Sequence, residues 1–388
     1  MKSENKPELV FTFPAALGGV ASFNYNLINY STLKDKFSIK VILLKAKEDT
    51  RVEFSEKLKV QECIHFEYSN KDNQYFVLKR LNMIIGTNEG AVICDNSLTL
   101  QACSIFKNPK TVFHILHDYF YVNQNIALEH AIDVSIAHSS FFSDCVFASN
   151  PKEFAEYSFY IPYGVKQYSV MPTKSKNERL KLFFLGRLAE GKGIEKLSLI
   201  ENELQLINIS VDWTIMGIGP LKEMVLKSWE GKSNVLFSEP NTTEEVFNTL
   251  KDQDIFIFPT EFEGTPVSII EALSNGCVTI VTNLPGGIRD LVTDDVGFKV
   301  STKDIVSYVQ IIKDLEADRD KLFLLQRNSW LKAKYNYDIE KNADEYFKLF
   351  SDFTLLKRNR KIVNSINLSK LDKPYFPNFL VKIVRTFK

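Results

Sequence analysis

Cysteine is scarce, five residues in 388, and Cys63, Cys94, Cys103, Cys145 and Cys277 are odd in number and never spaced as Cys-x-x-Cys. That pattern argues against a disulfide framework and against a thiolate metal site; the five read as reduced core residues in a reducing cytoplasm. Net charge is absent as well. Lys plus Arg and Asp plus Glu both number 48, which argues against a nucleic-acid binder whose whole body is basic. No stretch approaches the roughly 20 uninterrupted apolar residues that cross a bilayer. The start, Met1 to Glu8, runs directly into a strand-like Leu9 to Phe13 without the apolar core of a secretory leader, so the expected location is cytoplasmic.

What is present is an ordinary globular balance, 45% hydrophobic and 25% charged, in a chain too long for one core. Short β-rich runs alternate with helical stretches: Leu9 to Phe13, Ile39 to Leu44, Ala91 to Cys94, Thr111 to Leu116 and Val134 to Ala137. This is the rhythm of a parallel sheet wrapped by helices, an α/β fold. It restarts after Ile161-Pro162-Tyr163-Gly164-Val165 and a polar Thr173 to Arg179, with strands predicted at Lys181 to Leu185, Asp212 to Met216, Asn234 to Phe237, Ile255 to Phe258 and Val278 to Thr282. The reading is therefore two Rossmann-like domains, 1–165 and 166–350, with ligands at the carboxyl ends of their strands, followed by an extension, 351–388.

The richest segment begins with Ile255 to Phe258, a buried strand that ends at Pro259 and leads through Thr260 to Pro266 into a helix. Thr265 is placed to cap that helix and Pro266 to open it. Free N–H groups at such a start bind phosphate or sugar oxygens. Glu263 lies in the loop; Glu271 lies in the helix among Ile269, Ile270, Ala272 and Leu273, where a carboxylate needs a partner that ligand hydroxyls would supply. Alone, the two also fit a solvated loop residue and a polar helix face. At the start of the second domain, Leu182 to Leu185 delivers Arg187, and a turn delivers Lys192. A planar fork and a point charge suit a diphosphate, although both also fit cations in water.

Taken together, Glu263-Gly264-Thr265-Pro266 with Glu271 seven residues beyond Glu263's neighbour, in a Glu-x(7)-Glu spacing, resembles the signature of the retaining glycosyltransferases of family 4. Gly186-Arg187-Leu188 with Lys192-Gly193, Gly217-Ile218-Gly219-Pro220 and the Ile-Pro-x-Gly-Val run at 161–165 follow in that family's order. The resemblance covers roughly residues 8 to 350 and is most specific from Leu182 to Gly287. It implies the GT-B fold, two facing Rossmann-like domains with an interdomain cleft, and transfer of a sugar from a nucleotide diphosphate sugar to a glycan or lipid-linked acceptor with retention. The nucleotide sugar would be a co-substrate; no cofactor and no obligatory metal are implied. Arg187 and Lys192 would hold the diphosphate, Glu271 the ribose hydroxyls, and Glu263 with Gly264, Thr265, Pro266 and Val267 the sugar, while Gly217 would lie beneath the base.

In the first domain Gly18 and Gly19 follow the first strand and permit close approach of a phosphate, or make a plain turn. The family's histidine after the third or fourth strand is missing, the corresponding run being Val92 to Ser97; Asp95 or His117 is left to line the acceptor side. His114 and His117, three apart, are expected to point to opposite faces. Two rivals stand beside transfer: a nucleotide-sugar 2-epimerase of the same fold, which has no acceptor, and a non-catalytic donor-fold subunit.

From Leu356 to Lys388 the extension holds nine basic residues, Lys357, Arg358, Arg360, Lys361, Lys370, Lys373, Lys382, Arg385 and Lys388, against one acid, Asp372. Phe376, Phe379, Leu380, Ile383, Val384 and Phe387 fall on one helical stripe, the composition of an interfacial helix on an anionic membrane. A helix docked on the first domain is the competing expectation.

Overall fold

A computed structural model describes residues 6–53, 57–149, 155–174, 178–240, 242–360 and 368–387. The chain forms two compact units, Met1–Pro162 with Glu340–Lys388, and Tyr163–Ile339. Lys361, Lys388 and part of the polar linker, 175–177, lie outside the described residues.

The first unit is built on a seven-stranded sheet of β1 (Glu8–Pro14), β2 (Ser38–Ala46), β3 (Glu62–Tyr68), β4 (Gly90–Cys94), β5 (Thr111–Leu116), β6 (Val134–Ala137) and β7 (Ser158–Tyr160), ordered β3-β2-β1-β4-β5-β6-β7. Every pair is parallel. Helices cover both faces, so the central strands are apolar without alternation, and every residue of β4 and β5 is buried. Polar side chains start the helices that follow: Asn96 accepts the N–H of Thr99, and Asp118 accepts those of Phe120 and Tyr121.

The second unit carries β8 (Leu180–Leu185), β9 (Val211–Met216), β10 (Val235–Ser238), β11 (Ile255–Phe258), β12 (Val278–Thr282) and β13 (Gly297–Val300), a parallel sheet ordered β10-β9-β8-β11-β12-β13. In both sheets the first strand is central and the chain winds to one side before crossing to the other. The order therefore reverses between β1 and β4 and again between β8 and β11. At such a reversal the flanking connections leave on opposite faces and open a crevice at the strand ends, the usual ligand position of doubly wound sheets.

The domain limits differ from those expected. The helix Ile339–Ser351 packs on the first sheet, with the Phe350 ring 5.9 Å from Phe11 and 5.1 Å from Phe113. Asp344 on the same helix accepts hydrogen bonds from Ser31 and Thr32. The second unit ends near Ile339 because the apolar face of this helix finds its partners among the phenylalanines of β1 and β5. Two cysteines also depart from the reading, since Cys63 is exposed and Cys145 half-buried. No helix among the described residues is long and apolar enough to cross a membrane.

Candidate active site

The crevice of the second unit is framed by the loops after β8, β11 and β12. Hydrogen bonds tie these loops together: Gly191 O accepts from Glu261 N at 2.8 Å and from Thr260 Oγ1 at 3.0 Å, and Gly264 O accepts from Gly287 N at 2.9 Å. Glycine is required where backbones touch. A Cβ at Gly193, which sits at φ +66°, would lie 2.0 Å from Pro259 O, and one at Gly217 would lie 1.9 Å from Gly186 O. Gly217 is buried against that neighbouring turn, where only glycine lets the two loops close up.

On this frame Lys192 forms an ion pair with Glu263; both side chains are largely buried. The two candidate residues, expected to act on different parts of a ligand, thus meet directly. Arg187 is exposed at the end of β8 and makes no ion pair among the described residues. Lys196 escaped the sequence reading. It lies 6% exposed under the β11 loop, donating to Pro259 O at 3.1 Å and to Glu261 at 3.0 Å, and so fixes the segment that carries Glu263.

Thr265 does not cap the following helix. That helix is Val267–Ser274, Pro266 occupies its cap position with ψ 113°, and the Thr265 side chain is buried against Gly287. Glu271 lies one turn inside, half-buried, and among the described residues no side chain hydrogen-bonds or pairs with its carboxyl. Burial raises this carboxyl to about 7.

In the first unit Gly18 and Gly19 are exposed at the start of the helix Gly19–Tyr30, and a Cβ on either would meet nothing within 4 Å. Gly18 has extended backbone, so neither strain nor packing within the protein calls for glycine there. Asp95 has no accessible surface: one oxygen pairs with His117 Nε2, and the other accepts from Asn24 Nδ2 at 2.8 Å. Asp95 therefore reaches a ligand only through His117, which keeps 5% exposure. His114 and His117 do not point apart; β5 stops at Leu116, and both rings lie against Tyr121, at 6.1 and 4.8 Å. Burial drives the His114 imidazole down to about 3 and that of His138 well below its usual range. The Tyr346 hydroxyl donates to Ile161 O at 2.7 Å, so at 2.8 Å it accepts the Nδ1 hydrogen of neutral His138.

Residues 170–336 match the glycosyl transferases group 1 family. That match lies within the second unit. A UDP-Gal:alpha-D-GlcNAc-diphosphoundecaprenol alpha-1,3-galactosyltransferase of Escherichia coli is 29% identical over 113 residues, 29% of this chain and 29% of that protein. The sulfoquinovosyl transferase SQD2 of Arabidopsis thaliana is 25% identical over 167 residues, 42% of this chain and 32% of the relative, so only about a third of these curated relatives' length is spanned. HepE of Anabaena, solved in complex with UDP and glucose, superposes with a TM-score of 0.69 at 14% identity over 89% of this chain and 100% of its own. Sucrose-phosphate synthase of Thermosynechococcus elongatus gives 0.70 at 14%, covering 90% and 99%. The fold is GT-B, with two Rossmann-like units.

All four residues Arg187, Lys192, Glu263 and Glu271 lie inside the matched segment. Glu271 gives a prediction that pH alone can test. Its carboxyl loses a proton only near pH 7, and hydroxyl donors on a ligand bind the ionised form. Nucleoside diphosphate affinity should therefore rise about tenfold from pH 6 to pH 8, the change in the ionised fraction of a group titrating at about 7. In Glu271→Gln the rise should shrink to the part that the ligand's own phosphate contributes. Titration calorimetry across this range checks it, and equal slopes in both proteins would remove Glu271 from the ligand. Stability moves the other way: the folded carboxyl titrates above its unfolded value of 4.5, so stability contributed below that value is lost as pH climbs through about 7.

Proposed function

We propose that the chain is a retaining, metal-independent glycosyltransferase that moves a sugar from a nucleoside diphosphate sugar to a glycan or lipid-linked acceptor at the cytoplasmic face of a membrane. The observation that carries this is the match of residues 170–336 to the glycosyl transferases group 1 family, with Lys192, Glu263 and a Glu271 carboxyl unpartnered among the described residues on the loops and helix that border the β8/β11 reversal. The donor class is supported by the names of the relatives, one specifying UDP-Gal and another crystallised with UDP and glucose, and the acceptor class by the diphosphoundecaprenol-linked GlcNAc of the galactosyltransferase.

In this reading the donor diphosphate lies on Arg187 and Lys192 and its ribose hydroxyls donate to Glu271. The sugar rests near Glu263 and the backbone of Gly264 to Val267. Breaking the bond between the anomeric carbon and the β-phosphate oxygen leaves negative charge on the phosphate, which the two cations stabilise more strongly than in the ground state. The acceptor oxygen attacks from the same face and its proton passes to the departing phosphate oxygen, so the configuration is retained. Gly18, Gly19 and His117, held by Asp95, serve the acceptor side.

The Lys192–Glu263 pair adds a consequence. A diphosphate that engages Lys192 competes with Glu263 for the ammonium. Glu263→Gln should therefore bind nucleoside diphosphate as tightly as the wild type or a few-fold more tightly, while turnover falls about 10²-fold from loss of the sugar contact. Calorimetry and an initial-rate assay on the same preparation separate the two effects. Weaker nucleotide binding with unchanged turnover would contradict the assignment.

The broader test is a panel of nucleotide sugars screened by melting temperature, since a bound donor stabilises the fold by mass action. A stabilising donor is then assayed with and without acceptor extracts, in EDTA, and the product anomer is read by NMR. Nucleotide release without an acceptor would favour the epimerase, donor binding without turnover would favour the non-catalytic subunit, and an inverted product would exclude retention.

A further inference from the structure

The two expectations for the C-terminal extension are not exclusive. The helix Asn378–Thr386 docks on the first unit by its inner edge. Asn378 Oδ1 accepts the N–H of Asn73 at 2.6 Å and its Nδ2 donates to Asp72 at 2.9 Å, Lys382 pairs with Asp72 at 2.8 Å, Arg385 pairs with Asp372 at 2.8 Å, and Val381 is 1% exposed. The outer edge stays open: Phe379 is 63% exposed, Ile383 52% and Phe387 87%, with Leu380 and Val384 between them. Four large apolar side chains on this nine-residue helix, with Phe387 just past its end, face solvent while the same helix is anchored in place.

We infer that this outer edge is a membrane-docking surface that inserts into the headgroup layer of an anionic bilayer. Charge selects the occupant. Between Leu368 and Phe387 the chain carries Lys370, Lys373, Lys382 and Arg385, and its one acid, Asp372, is 3% exposed and already paired with Arg385. An apolar strip flanked by cations matches a bilayer with anionic headgroups, in which apolar side chains enter the acyl boundary and ammonium groups remain among phosphates. Size weighs against a second copy of the chain. A helix of nine residues is about 14 Å long, and its outer strip falls short of the roughly 800 Å² that each partner brings to a stable interface. Because Asn378, Lys382 and Arg385 hold the inner edge, the helix is presented ready-formed and does not have to fold on the lipid. The inference shares the membrane setting of the proposed function but rests on this helix alone.

The test uses the full-length chain, sedimented with vesicles of phosphatidylcholine alone or mixed with phosphatidylglycerol. The expected result is binding to the mixed vesicles, little to phosphatidylcholine, and loss of binding as salt rises from about 0.1 M to about 0.5 M. The triple variant Phe379→Ser, Ile383→Ser, Phe387→Ser should bind the mixed vesicles at least about tenfold more weakly, with its melting temperature and its nucleotide binding unchanged because these side chains face outward. Lys370→Glu with Lys373→Glu should weaken binding at low salt only, an independent check if the triple variant folds poorly. Full-length protein that ignores mixed vesicles at low salt, a triple variant that binds as well as wild type, or a dimer that the triple variant dissociates would each overturn the inference. The nucleotide titrations stand apart from these outcomes and report on the catalytic reading.

Discussion

Lys192→Ala and Arg187→Ala should each lower turnover about 10²- to 10³-fold, roughly 2–4 kcal/mol of lost transition-state stabilisation, the scale seen when one electrostatic donor is removed from a preorganised site. The structure separates the two variants by a second readout. Arg187 is exposed and makes no ion pair among the described residues, so its removal should leave the melting temperature where it was. Lys192 pairs with a Glu263 side chain only 13% exposed, so Lys192→Ala takes one charge-assisted partner from a mostly buried carboxylate and should also lower the melting temperature. Adding Glu263→Gln to Lys192→Ala should recover that stability and none of the turnover. Initial rates and thermal melts on the four proteins decide this, and wild-type rates in both single variants would remove the cations from the reaction.

The contrast between these two cations marks what spacing discloses and what it does not. Arg187 and Lys192 stand out in the sequence because a strand and a turn deliver them five residues apart. The partner of Lys192 is 71 residues away, and nothing local announces it. Lys196 gave a local signal that could have been read: it falls on the stripe of Leu197, Ile200 and Leu204, the buried face of the helix Ile194–Leu206, where a lysine needs an acceptor. The turn before Val267 shows a limit of another kind. Thr265 and Pro266 have the chemistry of a helix start, but contact with the β12 loop at Gly287 shifts the helix start by one residue and takes Thr265 out of the cap.

The fold was legible wherever strands are buried on both faces. β4 and β11 are unbroken apolar runs between turns, β12 is buried throughout, and all three fall within a residue or two of expectation. β3, β7 and β13 were not anticipated, and all three lie at sheet edges. β3 interleaves Glu62, His65 and Glu67 with its apolar residues because one side meets solvent, and β7 has only three residues. The chain reversal that returns the helix Ile339–Ser351 to the first unit is invisible for a different reason. The amphipathic period of a helix shows that a face will be buried but not which sheet will cover it.

The same long-range docking governs what happens when the extension is cut. Removing the chain after Ser351 looks from the sequence like a way to detach a membrane tail from an intact enzyme, yet the structure predicts loss of the first unit. Asp133 is fully buried and takes its charge compensation from the extension: beside the Val112 N–H at 2.7 Å, Arg360 pairs with it at 3.4 Å and the N–H of Arg358 donates to it at 2.9 Å. Burial already raises the Asp133 carboxyl above its usual range against the pull of these arginines, so without them its ionised form is stranded. Asn73, with no accessible surface, loses the carbonyls of Lys373 and Phe376, and Leu368 leaves the cluster around Leu78 and Ile132. Leaving one partner of a buried pair alone costs about 3–5 kcal/mol, a large fraction of the roughly 5–15 kcal/mol that keeps a domain folded. The truncated chain should therefore melt at least 10 °C lower, by an order-of-magnitude estimate from the usual shift per kcal/mol, or fail to fold, and Asp133→Asn should recover part of the loss by removing the stranded charge. Circular dichroism melts of the full chain, the truncation and the truncation with Asp133→Asn measure this. A truncation that melts with the full chain would show that the extension is not part of the first unit's fold.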